Sequence, residues 1–231
     1  MKLAIMQPYL FPYIGYFQLL DYVDKFIIHD DVQWIKGGWI NRNRILLNSE
    51  AEMITLSVKK RSNFDMINQF EIVPEQNRIK FLRKIKGAYA KSPYFNKVAG
   101  LLGKIILNKE SNIVKYIMFS FEQIKNYLSI DTPILLSSKL RKDNKLKGQE
   151  RVIDICRLMK TTTYINPIGG LTLYNKEKFN QCNINLFFLK TKNITYNQSD
   201  EEFIPNLSIM DVIMFNKPSE VKRMLKEFEI I

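Results

Sequence analysis

The sequence is poor in the residues that build metal and disulfide frameworks: two cysteines, one histidine and two tryptophans in 231 residues. Cys156 and Cys182 each sit in an apolar-periodic segment, which reads as buried thiols rather than a disulfide and points to the cytoplasm. No Cys/His set has zinc spacing. A Ser-His-Asp triad would have to use His29, and no G-x-S-x-G elbow accompanies it. Glycine is scarce, nine in all, and the first loop has neither G-x-G-x-x-G nor a Walker lysine, which disfavours ordinary dinucleotide or P-loop binding. No run approaches about 20 apolar residues, so no membrane-spanning helix is expected. The apolar run Leu3–Met6 is too short for a signal peptide, and Pro8 and Pro12 break the chain soon after it.

Acidic residues are outnumbered, 23 against 35 Lys and Arg, giving a net charge of +12. Read as function, the surplus suits a polyanion: nucleic acid, an anionic membrane surface or a nucleotide. Read as composition, it reflects a chain rich in Lys, Ile and Asn. Most of it is Lys, a point charge without the arginine fork. A hydrophobic share of 46% with 25% charged residues is that of a globular enzyme, and the length suits a single α/β domain over residues 1–231.

The chain is organised around its first unit, KLAIMQPYLFPYIGYFQLLDYVDKFIIHDDVQ. Two short apolar runs, Leu3–Met6 and Phe26–Ile28, do not alternate, as strands of a parallel sheet buried on both faces would not. Between them lie a Pro- and aromatic-rich loop and a helical pattern from Phe17. The loop then lies outside the carboxyl end of the first strand, where open α/β sheets bind ligands. His29, Asp30 and Asp31 emerge on the same edge.

Gln33–Ile45 crowds Trp34, Trp39, Asn41, Arg42, Asn43 and Arg44 around a Gly37-Gly38 break, a set able to stack a ring and grip phosphate or carboxylate. Residues 51–60 and 67–73 read as strands of a small antiparallel insertion. Helices fill 76–127, broken at Pro93 and capped anew at Ser111; Lys and Arg at 80, 83, 84, 86, 91, 97, 104 and 109 make this the most basic helical region. It either receives a nucleic-acid backbone or is the wet face of a helix bundle.

The strand–helix rhythm then resumes: strands at 134–136, 162–165 and 184–189, helices at 148–160, 174–181, 207–213 and 218–228. The expected fold is therefore α/β, a Rossmann-like five-stranded parallel sheet, with a short β-hairpin and helices inserted at about 45–130.

Three strand ends, 29–31, 137–139 and 166–170, would meet the first loop at one edge. Candidate catalytic residues are His29, Asp30 and Asp31, with a carboxylate orienting the imidazole and raising its pKa. Candidate binding residues are Gln7, Tyr9, Tyr13, Gly15, Tyr16, Trp39, Asn41, Arg42, Asn43, Ser137, Ser138, Lys139, Asn166, Gly169 and Gly170. No resident metal is expected, although the paired aspartates could take Mg²⁺ or a substrate amine.

Tyr13-Ile14-Gly15-Tyr16 resembles, by its place after strand one, the His-x-Gly-His motif of class I aminoacyl-tRNA synthetases, with both histidines replaced by tyrosine. Ser137-Ser138-Lys139 resembles the late phosphate loop of that superfamily. QPYLFPYIGYFQLL, HDDVQW, GWINRNRI, SSKL and LSIMDVI together resemble the WbqC-like family over essentially the whole chain. That resemblance implies bacterial O-antigen and polysaccharide biosynthesis and a glycine transfer. The expected activity is N-aminoacyl, chiefly glycyl, transfer to a nucleotide-linked amino sugar, with aminoacyl-tRNA as donor. The rival expectations are an ATP-dependent nucleotidyltransferase or ligase and a non-enzymatic basic binding protein of polysaccharide assembly.

Overall fold

The computed structural model of the chain describes residues 1–62, 64–73, 76–198 and 202–231. Along the chain run β1 (Lys2–Met6), α1 (Ile14–Tyr22), β2 (Lys25–Ile28), β3 (Arg42–Leu47), β4 (Glu50–Thr55), α2 (Gln76–Tyr89), α3 (Phe95–Ile106), α4 (Ile113–Leu128), β5 (Ile134–Leu136), α5 (Gly148–Leu158), β6 (Thr163–Pro167), α6 (Lys176–Asn180), β7 (Asn185–Thr191), α7 (Ile209–Phe215), α8 (Pro218–Met224) and β8 (Phe228–Ile230).

The main sheet has the order β5-β2-β1-β6-β7-β8. Its first five strands are mutually parallel. β8 runs antiparallel to β7. The sheet is thus six-stranded and mixed, not five-stranded and parallel. The last helix stops at Met224, and Phe228-Glu229-Ile230 becomes an edge strand too short to carry a readable pattern. Counted within the sheet the order is 3-2-1-4-5-6, so the direction of winding reverses between β1 and β6.

Side chains alternate across the strands and feed two cores. Leu3, Ile5 and Ile27 meet α5 and α6 through Ile155, Cys156 and Phe179. Ala4, Phe26 and Ile28 join α1, the helices of the 76–128 segment and the C-terminal helices on the other face. Cys156 is buried and Cys182 half-buried, and both are free thiols. No helix among the described residues is long and apolar enough to cross a membrane.

The inserted hairpin differs in its partner. β4 pairs with β3, from Arg42↔Thr55 to Leu47↔Glu50; the expected antiparallel pairing of 51–60 with 67–73 is met only beyond β4, where Val58 bridges Ile72 and the amides of Lys59 and Val73 donate to the carbonyls of Glu71 and Ser57. Asn48 and Ser49 both take positive φ, 51° and 60°, the turn that matches strand twist in a two-residue hairpin. Residues 67–69 form instead a single 3-10 turn. The helical stretch breaks into α2, α3 and α4, and Asn112, not Ser111, caps α4 by accepting from the amides of Val114 and Lys115.

Candidate functional site

Where the winding reverses, the connections leaving β1 and β6 go to opposite faces and a cleft of about 620 Å³ opens at the carboxyl edge. β1 and its loop contribute Gln7, Tyr9, Tyr13 and Tyr16; β2 contributes His29. The hairpin and the segment before it bring Ile35, Trp39, Asn43 and Arg44. The end of β6 supplies Asn166, Gly169, Gly170, Leu173 and Tyr174, and Asn206 closes the wall.

The first loop is held rigidly. Phe11, fully buried, sits at φ 44°, a region an L side chain avoids. The buried Asn43 amide donates to the carbonyls of Leu10 and Phe11, both at 2.9 Å. Ser208 Oγ donates to the same Phe11 carbonyl at 2.8 Å. The Tyr16 hydroxyl donates to the Gln7 carbonyl at 2.9 Å, and its ring packs on Phe26 and Phe121. Gly15 does not line the cleft. A Cβ there would collide with the Tyr13 ring and the Thr191 hydroxyl. The glycine therefore makes room for Tyr13, which hydrogen-bonds Thr191.

The acidic strand end divides. Nε2 of His29 is buried without a hydrogen-bond partner among the described residues, and the ring lines the cleft. Burial pushes its pKa down to about 4, against the pull of Asp31 and helped by Arg151 and Lys142. This corrects the expected upward shift: desolvation outweighs the carboxylates. Asp30 points away from the cleft. It accepts from the Ser138 amide at 2.9 Å, from Ser138 Oγ at 2.6 Å and from Asn68 at 3.4 Å. Asp31 accepts from Ser137 Oγ at 2.7 Å and pairs with Lys142, whose side chain is 1% exposed. Burial opposes the Asp31 carboxylate, but the hydrogen bonds and charge of Lys142 together with Ser137 hold its pKa below the ordinary carboxylate value.

Ser137 and Ser138 thus brace the aspartates and are not a phosphate loop at the cleft. Lys139 is exposed and outside it. β5 is the outer strand beyond β2, away from the reversal, which is why its end does not reach the opening. Among the described residues no group of three or more His, Cys, Asp or Glu could hold a metal ion.

The arginines also sort themselves. Arg42 folds back on the carbonyls of Gly37 and Gly38 and stays outside the lining. Asn41 closes the hairpin, donating to the Leu56 carbonyl at 2.9 Å. Arg44 faces the cleft, its guanidinium 5.9 Å from the Trp39 ring and its Nε buried without a partner among the described residues. Trp39 is 38% exposed at the rim, whereas Trp34 is core, stacked on Phe70 at 4.1 Å. Asn166 donates to the Tyr164 hydroxyl at 2.8 Å and lies so close to Gly170 that no Cβ would fit there.

Among the described residues Arg44 is the one Lys or Arg in the lining, which holds no Asp or Glu. With His29 neutral, the cleft suits an anion attached to a planar or apolar group, and offers one unoccupied acceptor to an N–H or O–H. Leu173, Tyr174 and Asn206 were not among the expected site residues, and Arg44 was read only as one of the crowded set at 33–45. Arg44 stood in the GWINRNRI string, but only the fold of Arg42 onto the glycines tells the two arginines apart. Leu173 and Tyr174 come just after the Gly169-Gly170 turn and could have been read with it. Nothing near Asn206 in sequence signals its place.

The chain is 28% identical over 229 residues to Rv1507c, an uncharacterized protein of Mycobacterium tuberculosis, with 97% of each chain covered. No solved structure matches it. A model of the WbqC-like protein family matches residues 7–223, which takes in the first loop, His29, the hairpin and Asn206. The chain therefore belongs to the WbqC-like protein family.

Proposed function

We propose that the chain is an N-aminoacyltransferase, glycyl in the first instance, that acylates the amine of a nucleotide-linked amino sugar for O-antigen or related polysaccharide synthesis in the cytoplasm, with aminoacyl-tRNA as donor. The observation that carries the reading is the neutral His29, whose Nε2 has no partner among the described residues, in one cleft with Arg44 and Trp39 and with no carboxylate among the described lining residues. Arg44 would hold a diphosphate, and Trp39 or Tyr9 would stack the base. The sheet order supports a Rossmann-like, synthetase-related ancestry.

In the step itself the amine attacks the ester carbonyl, the C–N bond forms and the ester C–O bond breaks. His29 Nε2 takes the proton the amine loses and passes it to the departing tRNA hydroxyl. A base with so low a proton affinity does not keep the proton, which suits a relay better than a store. An activated ester needs no adenylation, in keeping with Tyr13 filling the space over Gly15.

The test is transfer of labelled glycine from charged tRNA to uridine- or thymidine-diphosphate amino sugars. Transfer that His29→Ala abolishes is the expected result. No transfer to any such sugar, or full function in the cell with His29→Ala, overturns the reading.

A further inference from the structure

The basic surplus is concentrated. Residues 76–109 hold nine of the chain's 35 Lys and Arg and none of its 23 Asp and Glu. They form α2 and α3, which pack on one another. The apolar stripes of the two helices, Phe81, Ile85 and Tyr89 on α2 and Val98, Leu102 and Ile105 on α3, are buried in the core. Left outside are Lys80, Arg83, Lys86, Lys91, Lys97 and Lys104, all exposed.

A lysine-rich composition by itself would intersperse these cations with acids. Elsewhere the surface does so: Lys59 pairs with Glu71, Lys178 with Glu150, Lys190 with Glu229 and Lys226 with Asp21. In α2 and α3 only Lys84, bonded to Glu52, has a carboxylate partner among the described residues. Like charges one helical turn apart, as Lys80 and Arg83 or Arg83 and Lys86 are, cost stability.

A second observation is independent of charge. Gly87 and Gly100 lie on exposed positions of these helices, and a Cβ at either would meet nothing within 4 Å. Each costs the helix about 1 kcal/mol against alanine, with no internal contact requiring it. What bare backbone provides is close approach from outside.

The approaching body is not lipid. An interfacial helix presents its apolar face to the membrane, and here that face is inward. The large apolar side chains exposed on or beside these helices are Ile79 and Leu107, with no aromatic among them. We propose that the exposed face of α2 and α3 binds the phosphate backbone of a nucleic acid. The inference deepens the donor half of the proposed reaction and rests on it for the choice of tRNA as first probe.

Fluorescence anisotropy with labelled, uncharged tRNA measures the binding, with a DNA duplex and anionic phosphatidylglycerol vesicles as parallel arms. Affinity for tRNA falls about 100-fold between 50 and 200 mM salt if about four phosphates are neutralised. The triple variant Arg83→Gln/Lys86→Gln/Lys91→Gln binds at least about tenfold more weakly, with a log–log salt slope shallower by about three. The variant Lys160→Gln/Lys176→Gln/Lys222→Gln, which removes equal charge from exposed positions elsewhere, binds like the parent. Equal affinity for tRNA and DNA supports a backbone reader without preference for ribose. Absence of salt-dependent binding, equal loss in both triple variants, or binding to vesicles alone overturns the proposal. Glycine transfer without tRNA binding defeats this inference and spares the reaction; tRNA binding without any transfer does the reverse.

Discussion

Two strand ends of the same sheet, both carrying hydroxyl side chains, have opposite fates. The loop after β1 opens into the cleft; the Ser137-Ser138-Lys139 turn after β5 closes onto its neighbour. Both sit at the carboxyl edge of parallel strands. The difference is position: β1 borders the reversal, where connections diverge, and β5 is the outermost strand, with only β2 beside it. Its serines therefore find the β2 aspartates. The contrast reaches down to adjacent residues. Asp30 and Asp31 are saturated with hydrogen bonds, while Nε2 of His29 has none among the described residues. The strand end that opens into the cleft is the one that leaves a polar atom without a partner among the described residues.

Substitutions on the two sides should separate into effects on turnover and effects on stability. The largest is expected at His29: His29→Ala lowers glycine transfer about 100-fold or more while its urea midpoint moves little. A variant whose urea midpoint falls markedly while turnover of the folded fraction stays intact would break the distinction. On the other side, Asp31→Ala leaves the buried Lys142 ammonium without its carboxylate. It should cost about 3 kcal/mol in urea denaturation and leave ligand affinity nearly unchanged.

The pH dependence of folding sharpens the same contrast, because His29 is the chain's one histidine. Its folded pKa, about 4, lies below its ordinary 6.5. The unfolded chain then binds the extra proton between those values, so stability falls as pH drops through that window, by about 3 kcal/mol in all. His29→Gln should flatten this part of the curve. The Asp31 carboxylate, held below its ordinary value, contributes stability above that value and loses it only in stronger acid. The smallest and most selective effect is a pair: Arg44→Ala weakens a uridine-diphosphate ligand roughly tenfold or more in calorimetry, and Lys139→Ala leaves both affinity and stability within about 0.5 kcal/mol of the parent.

The sequence made the parallel strands readable because strands buried on both faces have no polar alternation to confuse with helix; Leu3–Met6 and Phe26–Ile28 are examples. It made the first loop, Trp39 and His29 visible because rare residue types cluster there. It hid whatever depended on partners. Nothing local says that Ser138 will cap Asp30, that Arg42 will curl onto Gly37-Gly38, or that β4 will pair backwards through Asn48-Ser49. The downward pKa shift of His29 was equally out of reach, since carboxylates next in sequence were visible and the desolvating walls were not.

The left-handed Phe11 has a consequence for how the protein is made. The groups that fix its carbonyl, Asn43 and Ser208, lie 32 and 197 positions away along the chain. β1 likewise waits for β6, as Lys2 aligns with Thr163. During translation the first loop leaves the ribosome early; Asn43 follows soon after, but the Ser208 anchor comes only some 197 positions later. Contacts of such sequence separation form late and slowly. The wall of the cleft that this loop forms is therefore complete only in the finished fold.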